Sequence, residues 1–312
     1  MTGRLLPLLL LLGCASAFAS GGLTSNAETT LSPAAQAEIK TEFVPIDTFE
    51  VETGYVFRSD LNHGGSFGKQ DALQNSIEWG HRIQLIGNFY LRAGFQYARF
   101  DFGHTNALPI PDHLQSASIL LGVDYMHGKD IGAFFQIRPG FYFENDIGRD
   151  SFDIPITAGR IFILRDDQLY MFVGANASFL RGGFPVVPLA GLIWTPNEQW
   201  HAMAMVPEPR VVYSPNQQWD FWAGGELVGN SFKMDQHPEF ANIPHVAKLS
   251  GTQVDYMEYR AGVGVIYSPV DNICFDLGAG MDIQRAFKFH RAGENYRTDP
   301  APYLRLQVKA KF

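Results

Sequence analysis

Apolar and polar residues alternate one for one along most of the chain from Phe49 to the end. In the last ten residues one face carries Leu304, Leu306, Val308, Ala310 and Phe312, and the other carries Tyr303, Arg305, Gln307, Lys309 and Lys311. A period of two is typical of a β-strand with one covered face and one polar face, because successive side chains point to opposite faces. The sequence therefore predicts an all-β fold.

The alternating segments are too long for an ordinary soluble sheet. Many run for about 10 to 14 residues, whereas strands in globular proteins average about 5–6 residues. A tilted strand that crosses a bilayer needs roughly 9–11 residues, and its outward and inward residues alternate. The pattern therefore predicts strands that span a membrane as a closed barrel, in which no strand edge is left unpaired.

The connections between these segments alternate in length, as they do in a membrane barrel with short turns at one rim and longer loops at the other. They predict a single antiparallel transmembrane β-barrel of about fourteen strands, and twelve or sixteen strands stay open. The predicted short turns lie at 86–88, 127–130, 165–168, 196–199, 215–218 and 269–272. The predicted longer connections lie at 58–74, 103–112, 144–151, 229–251 and 288–301, with two brief ones at 181–185 and 206–209.

The N-terminal residues carry an export signal rather than a barrel strand. Arg4 precedes a short apolar run, and Ala17-Phe18-Ala19 has the small-x-small pattern of a cleavage site. We predict a removed signal peptide, a flexible periplasmic tail and the barrel, at 1–19, 20–47 and 48–312 respectively. An alternative processing site would make Cys14 the lipidated N-terminus. Cleavage after Ala19 would instead leave Cys274 as the sole cysteine, which excludes an intramolecular disulfide.

A repeated hairpin motif places aromatic residues beside the short turns. The segment WTPNEQW at 194–200 recurs as YSPNQQW at 213–219 and, more loosely, as YSPVDNI at 267–273. Proline presets the turn conformation, and Tyr and Trp are enriched where a membrane meets water. The predicted interface residues are Trp194, Trp200, Tyr213, Trp219 and Tyr267. The alternative is a hairpin repeat of a soluble β-sandwich, in which these aromatics would form the core.

The last strand ends on an aromatic residue. A terminal Phe after an amphipathic strand resembles the assembly signal of bacterial outer-membrane barrels, and the matching residues are Leu306, Val308, Ala310 and Phe312, with Tyr303 further back. Together with the signal peptide and the hairpins, the chain from about Phe49 resembles outer-membrane β-barrel proteins, and more narrowly barrel families of unknown function. The resemblance implies a location in the outer membrane among its lipids. It also implies periplasmic chaperones and the barrel-assembly machinery as partners, and it implies no catalytic residues.

Composition agrees with a folded, membrane-bound chain. Of the 312 residues, 46% are hydrophobic and 18% are charged, which excludes an intrinsically disordered chain. The chain has 24 Lys and Arg against 32 Asp and Glu, a formal net charge of −8, so nucleic acid is not expected as a partner. No run of 18 apolar residues follows the signal, and the sequence predicts neither a transmembrane helix nor a cofactor.

Charged residues fall on the face opposite the apolar one, where acids and bases are nearly equal in number. A pore that selects one ion sign would carry an excess of the other sign. We therefore predict an interior crossed by ion pairs or a weakly selective aqueous path. Inward-facing glycines leave room for the long side chains. The candidate lumen-lining residues are Glu78, Arg82, Arg92, Arg138, Asp220, Glu226, Glu258, Arg260, Asp276, Asp282, Arg305 and Lys309.

Side chains suited to catalysis or metal binding are scattered along the chain. The nearest catalytic constellation is His113 with Asp112, Ser116 and Ser118. The longest loop brings together Asp235, His237, Glu239 and His245. Neither set has the spacing of a hydrolase or zinc motif, so no metal site is predicted.

The sequence names no substrate. We predict a passive channel or small-solute conduit whose ion-paired interior sets its width. A closed barrel with a structural or adhesin-like surface-binding role is the alternative. An outer-membrane hydrolase is a second alternative. Nucleophilic hydrolysis needs a Ser, a His base and an orienting acid near one another, and the set around His113 contains these three residue types.

Overall fold

The computed structural model describes residues 46–104, 110–127, 130–166, 168–238, 242 and 246–312. These residues form one β-sheet, with short 3₁₀ turns at Arg149–Ser151 and Ala247–Leu249. No helix in this part of the chain is long and apolar enough to cross a membrane. The predicted signal peptide, Cys14 and nearly all of the predicted tail lie outside the described residues.

The sheet closes on itself into the fourteen-strand antiparallel barrel that the sequence predicts. Three of the barrel strands are each built from two segments: β5 with β6, β7 with β8, and β16 with β17. The segments are β1 Ile46–Asn62, β2 Ser66–Ile86, β3 Phe89–His104, β4 His113–His127, β5 Asp130–Ile137, β6 Gly140–Phe143, β7 Phe152–Asp153, β8 Ile156–Arg165, β9 Leu169–Ala177, β10 Val186–Asn197, β11 Trp200–Met205, β12 Arg210–Tyr213, β13 Trp219–Lys233, β14 Gln253–Val270, β15 Ile273–Phe289, β16 Glu294–Thr298 and β17 Ala301–Lys311.

The six short turns lie where the sequence predicts them. They join β2 to β3, β4 to β5, β8 to β9, β10 to β11, β12 to β13 and β14 to β15 at one rim of the barrel, which we call the turn end. The barrel chain also starts and finishes there, because the backbones of Asp47 and Phe312 exchange two hydrogen bonds of 3.0 and 2.9 Å. The opposite rim, which carries the longer connections, is the loop end.

Two of the predicted long connections are wrong, because strands continue through them. The predicted connection at 58–74 contains the end of β1 and the start of β2, with only 63–65 between them. The predicted connection at 288–301 contains β16. Near the loop end the outward residues lie beyond the apolar belt and are polar, as Arg58 and Asp60 are, while the buried inward positions also include the polar residues Ser59 and Gln70. The alternation that marks a half-covered strand is then lost, although the hydrogen bonding continues.

The outward face of the barrel carries large, exposed apolar side chains. On β15, Leu277 is 53% exposed and faces outward, whereas its neighbour Asp276 is 3% exposed and faces inward. The same alternation recurs along β17 and in the turn-end parts of β13 and β14. Monomeric soluble proteins rarely expose a contiguous apolar surface of this extent. An apolar belt around a closed barrel is instead the surface that meets hydrocarbon in a transmembrane barrel.

The barrel narrows from the turn end to the loop end. Strand β6 stays paired with β4, but its pairing with β7 ends at Phe141, and it forms a parallel bridge with β13 at Phe143 and Lys233. A hydrogen bond of 3.1 Å from the Glu144 amide to the Lys233 carbonyl strengthens this bridge. This bridge passes over the shorter strands β7 to β12. Beyond it the wall is a ring of β1, β2, β3, β4, β6, β13, β14, β15 and β16.

Candidate functional site

The interior of the turn-end half is lined by charged side chains from most of the barrel strands. Successive residues of a strand point to opposite faces, and here the polar residues are the ones that point inward. Of the twelve candidate lumen-lining residues, Lys309 is half-buried, and its Nζ lies 3.5 Å from Glu50 Oε2. The other eleven are buried inside the barrel: Glu78, Arg82, Arg92, Arg138, Asp220, Glu226, Glu258, Arg260, Asp276, Asp282 and Arg305.

One group of these side chains forms a central ion network. Arg305 forms an ion pair with Asp276, and its guanidinium lies 3.2 Å from Glu226 Oε1. Arg260 lies 3.5 Å from the other oxygen of Glu226 and 2.5 Å from Glu258 Oε2. These residues come from β13, β14, β15 and β17. The two guanidinium groups thus link four neighbouring strands across the inner face of the wall.

A second ion network lies on the opposite side of the lumen. Arg82 and Arg92 converge on Asp124, at 3.1 and 3.0 Å. Arg138 lies 3.3 Å from Glu78. Sequence reasoning did not select Asp124, although the alternation of Leu120, Gly122 and Asp124 could have found it. Its carboxylate is fully buried, so it holds two positive side chains in place.

Trp222 packs between the central ion network and the wall, and it was not selected from the sequence. Its Nε1 donates a hydrogen bond of 2.8 Å to Asp276, and the Arg210 guanidinium lies 4.4 Å from its ring. The ring packs against two glycines of β14 and β15. A Cβ at Gly264 would lie 2.4 Å from Cε2 of the ring, and a Cβ at Gly278 would lie 2.8 Å from Cζ2. These glycines provide the space that the indole occupies.

The interior of the loop-end half is an apolar core instead of a lumen. Its buried aromatic rings contact one another edge to face, with Phe102 at 5.0 Å from both Tyr256 and Phe287. A barrel of eight strands is just wide enough for side chains to fill, so the nine-segment ring is close to that limit. The core residues with an aromatic ring are Phe100, Phe102, Tyr142, Phe232, Tyr256, Phe287, Phe289, Tyr296 and Tyr303.

A β-bulge sets where the polar half ends on β15. Tyr259 pairs with Gln284 and Arg260 pairs with Asp282, so Ile283 is the extra residue. A bulge shifts the facing of every later residue. It therefore turns Arg285 and Phe287 inward.

Arg285 marks the boundary between the two halves and is fully buried. Its guanidinium lies 3.4 Å from Asp282 and donates a hydrogen bond of 2.8 Å to the Gln70 carbonyl. Buried charges are unfavourable unless they are paired and hydrogen-bonded. The Asp282 carboxylate and the β2 backbone therefore fix this side chain directly below the aromatic core.

The predicted interface aromatics all lie at the turn end and face outward or sit half-buried. The rings of Trp200 and Tyr213 are 4.9 Å apart, and those of Trp219 and Tyr267 are 4.5 Å apart. Trp194 pairs with Leu169, beside the turn between β8 and β9. The two rings of each pair are tilted, by 39° and 32°, and the four residues lie directly beside the proline turns. Their contact with a membrane interface stays a prediction.

The residues of the predicted assembly signal divide between the two faces of β17. Leu306 and Phe312 are exposed on the outward face, with Val308 and Ala310 half-buried between them. Tyr303 is buried inside the barrel, where its ring lies 5.2 Å from the Arg260 guanidinium. Their recognition by assembly machinery stays a prediction.

The candidate catalytic and metal-binding residues do not come together. On β4, His113 and Ser116 lie on opposite faces, and so do His113 and Ser118. His237 contacts Glu144 at 3.0 Å, while Glu239 and His245 lie outside the described residues. Within the described part of the chain, no group of three or more His, Cys, Asp or Glu could hold a metal ion.

At the loop end, a small set of charges fastens the bridge between β6 and β13. Two backbone amides, those of Asn145 and Asp146, each donate a hydrogen bond of 3.1 Å to Asp235. Lys233 Nζ lies 2.6 Å from Asp150. The hydrogen bond from Lys233 lowers the pKa of the Asp150 carboxyl. These contacts of Lys233 and Asp235 hold β6 against β13 at the narrowed end of the barrel.

Comparison with known proteins gives likenesses at low identity only. No family model matches the chain, and no curated protein matches it. An outer membrane channel from Pseudomonas putida F1 is 10% identical, with 91% of this chain and 100% of that chain covered and a TM-score of 0.48. A deletion mutant of the monoaromatic hydrocarbon channel TodX is 11% identical, with 95% and 98% covered and a TM-score of 0.47. A Pseudomonas aeruginosa FadL homologue is 10% identical, with 96% and 97% covered and a TM-score of 0.35. At these values the likenesses assign no function to this chain.

Proposed function

We propose that the protein is a passive conduit for small solutes in the bacterial outer membrane. In the present conformation the aromatic core of the loop-end half closes this conduit. The observation that carries the proposal is the contrast between the two halves of the interior. The same barrel fills one half with apolar rings and the other half with ion pairs. A purely structural barrel needs only the first kind of filling.

Stability alone does not account for the buried charges of the interior. Replacing a buried ion pair by well-packed apolar residues is often neutral or stabilising. The networks around Arg305 and Asp124 are therefore not required for stability as such. A charged lining is useful where the interior takes up water and polar solutes, because it replaces the hydrogen bonds that a solute loses.

Several buried polar atoms of the turn-end half also need hydrogen bonds that the described side chains do not supply. They include Asp282 Oδ1, Arg285 Nη1 and Arg305 Nε. About 90% or more of buried polar groups in proteins are hydrogen-bonded to protein or water. Water molecules are the partners small enough to reach these atoms, so we propose a hydrated chamber below the aromatic core.

The chamber is expected to discriminate weakly between cations and anions. The interior charged residues that were not selected from the sequence are of both signs. Asp124 and Glu208 are acidic, and Arg210 and Arg285 are basic. Asp124 and Glu208 each lie against a base, and acids and bases alternate along the lining, so we expect no ring of a single charge. An excess of one sign is what makes a pore strongly ion-selective.

The second candidate function is a closed barrel with a structural or surface-binding role. It is favoured by the aromatic core itself, since Phe232, Tyr256 and Phe287 have no exposed surface. In that case the core would be permanent, and the loop-end surface would be the functional part.

Single-channel recording in planar bilayers separates the two candidates. The conduit proposal expects brief steps from the purified, folded protein, with a cation-to-anion permeability ratio near one. It also expects longer open times when the core is thinned by Phe102→Ala and Phe287→Ala together. Absence of steps in both proteins, with folding verified by heat-modifiable migration on gels, would overturn the conduit and favour the closed barrel.

A further inference from the structure

The barrel wall has an opening at the turn end, between β5 and β8. Their residue pairs run from Ile137 with Ile156 to Ala133 with Arg160, and no pair continues towards the turns. Strand β5 continues from Ala133 to its start at Asp130, and β8 continues from Arg160 to Arg165. The two strands therefore diverge over their last residues and leave a wedge in the wall.

A cavity of about 520 Å³ occupies this wedge, within the roughly 300–1,000 Å³ of small-ligand sites. Its lining is almost entirely apolar. It includes the outward-facing Tyr125 and Phe162 and the inward-facing Ile161, which packs against the apolar cluster around Phe172. The cavity is thus bounded by residues of the outer belt and by Ile161, whose side chain faces the interior.

Arg160 is the charged residue of this lining, and it faces outward from the apolar belt. It lies five residues before the end of β8, about 13 Å above the turn for a strand of ordinary rise and tilt. Its guanidinium lies 4.9 Å from the Phe162 ring, which is nearer the turn. No carboxylate of the described residues pairs with it, and an arginine on the lipid face near mid-depth is unfavourable.

We propose that the wedge binds one anionic phospholipid of the periplasmic leaflet, with its phosphate on Arg160 and an acyl chain in the cavity. The turn end is the periplasmic rim in a barrel of this class, so a lipid of that leaflet presents its head group from below. The guanidinium folds towards the same side and provides planar, bidentate recognition of a phosphate. The acyl chain covers the diverging strand edges with hydrocarbon. The site depends on the lipid-embedded barrel and holds whether or not the barrel conducts.

Native mass spectrometry of the folded barrel with added phosphatidylglycerol or phosphatidylcholine tests the proposal. We expect one retained phosphatidylglycerol on the wild-type protein and an affinity roughly tenfold lower or worse for Arg160→Gln, since a charge-assisted contact is lost. Arg99→Gln is the matched control, because Arg99 is also exposed on its strand but already pairs with Asp101 at 2.7 Å. Its retention of lipid should equal that of the wild type.

A second variant tests the cavity without touching the charge. Ala133→Trp fills the wedge and should abolish retention of the lipid while Arg160 stays in place. A phosphatidylglycerol with a photoreactive acyl chain should label residues 131–133 and 161–163. Equal retention by Arg160→Gln and Arg99→Gln, retention by Ala133→Trp, or labels spread evenly around the belt would each overturn the proposal. So would a dimer joined through the open strand edges in place of a lipid adduct.

Discussion

The packing of Trp222 against Gly278 makes the substitution Gly278→Ala a sharp test of the lumen geometry. The added Cβ would lie 2.8 Å from Cζ2 and 3.1 Å from Cη2 of the ring, whereas carbon atoms in contact prefer about 3.5–4.0 Å. The indole must therefore move by roughly 1 Å. That movement stretches the bond of 2.8 Å from Nε1 to Asp276. Overpacking of this kind costs about 1–3 kcal/mol.

The matched control is Gly54→Ala, another buried inward-facing glycine. Its added Cβ would meet Arg260 at 3.5 Å, an ordinary contact. Both substitutions restrict the unfolded chain equally, so the difference between them reports the clash alone. We expect Gly278→Ala to unfold in urea with a free energy about 1–3 kcal/mol lower than Gly54→Ala, measured by heat-modifiable migration on gels.

The Trp222→Ala background completes the test. Removing the ring should bring the two glycine variants to within about 0.5 kcal/mol of each other, because the coupling partner is gone. Equal unfolding free energies of Gly278→Ala and Gly54→Ala in the wild-type background would refute the position of the indole. A difference that survives in the Trp222→Ala background would refute the stated cause.

Three further substitutions test separate parts of the barrel. Leu277→Arg puts a charge on the outward belt and should lower the unfolding free energy in lipid vesicles by about 2–4 kcal/mol if the site is near mid-depth, with conductance unchanged. Asp124→Asn leaves two buried guanidinium groups without their carboxylate and should cost about 3–5 kcal/mol in the same assay; a neutral result would contradict the second ion network. Phe287→Ala should cost about 3–5 kcal/mol and lengthen channel openings, whereas Phe275→Ala, on the outward face of the same strand, should leave the openings unchanged.

Much of the barrel architecture can be predicted from the sequence. Each residue of a spanning strand faces either the lipid or the polar interior, so the two kinds of side chain alternate along the strand. The strand count, the six turns and the facing of Asp276 and Leu277 are determined by that alternation. The repeat around Pro196 and Pro215 locates two of the turns through proline alone. These features depend only on residues close together in the chain.

The parts that the sequence does not show depend on contacts between distant residues or on a single shifted residue. After the bulge at Ile283, the odd-numbered residues of β15 point inward in place of the even-numbered ones. The sequence around Arg285 and Phe287 is compatible with either direction. The bridge from Phe143 to Lys233 joins segments ninety residues apart, so the narrowed ring and its aromatic core have no local signal. The position of Trp222 depends on Gly264, Gly278 and Asp276, which lie on two other strands.

The central claim is that hydrocarbon surrounds the barrel while water reaches the turn-end half of its interior. Spin labels placed one at a time at residues 275, 276, 277, 281 and 282 of β15, in protein reconstituted into vesicles, test it most directly. We expect collisions with oxygen to peak at the odd positions and collisions with a water-soluble nickel chelate to peak at the even ones. Equal access of the nickel chelate to both faces would contradict it.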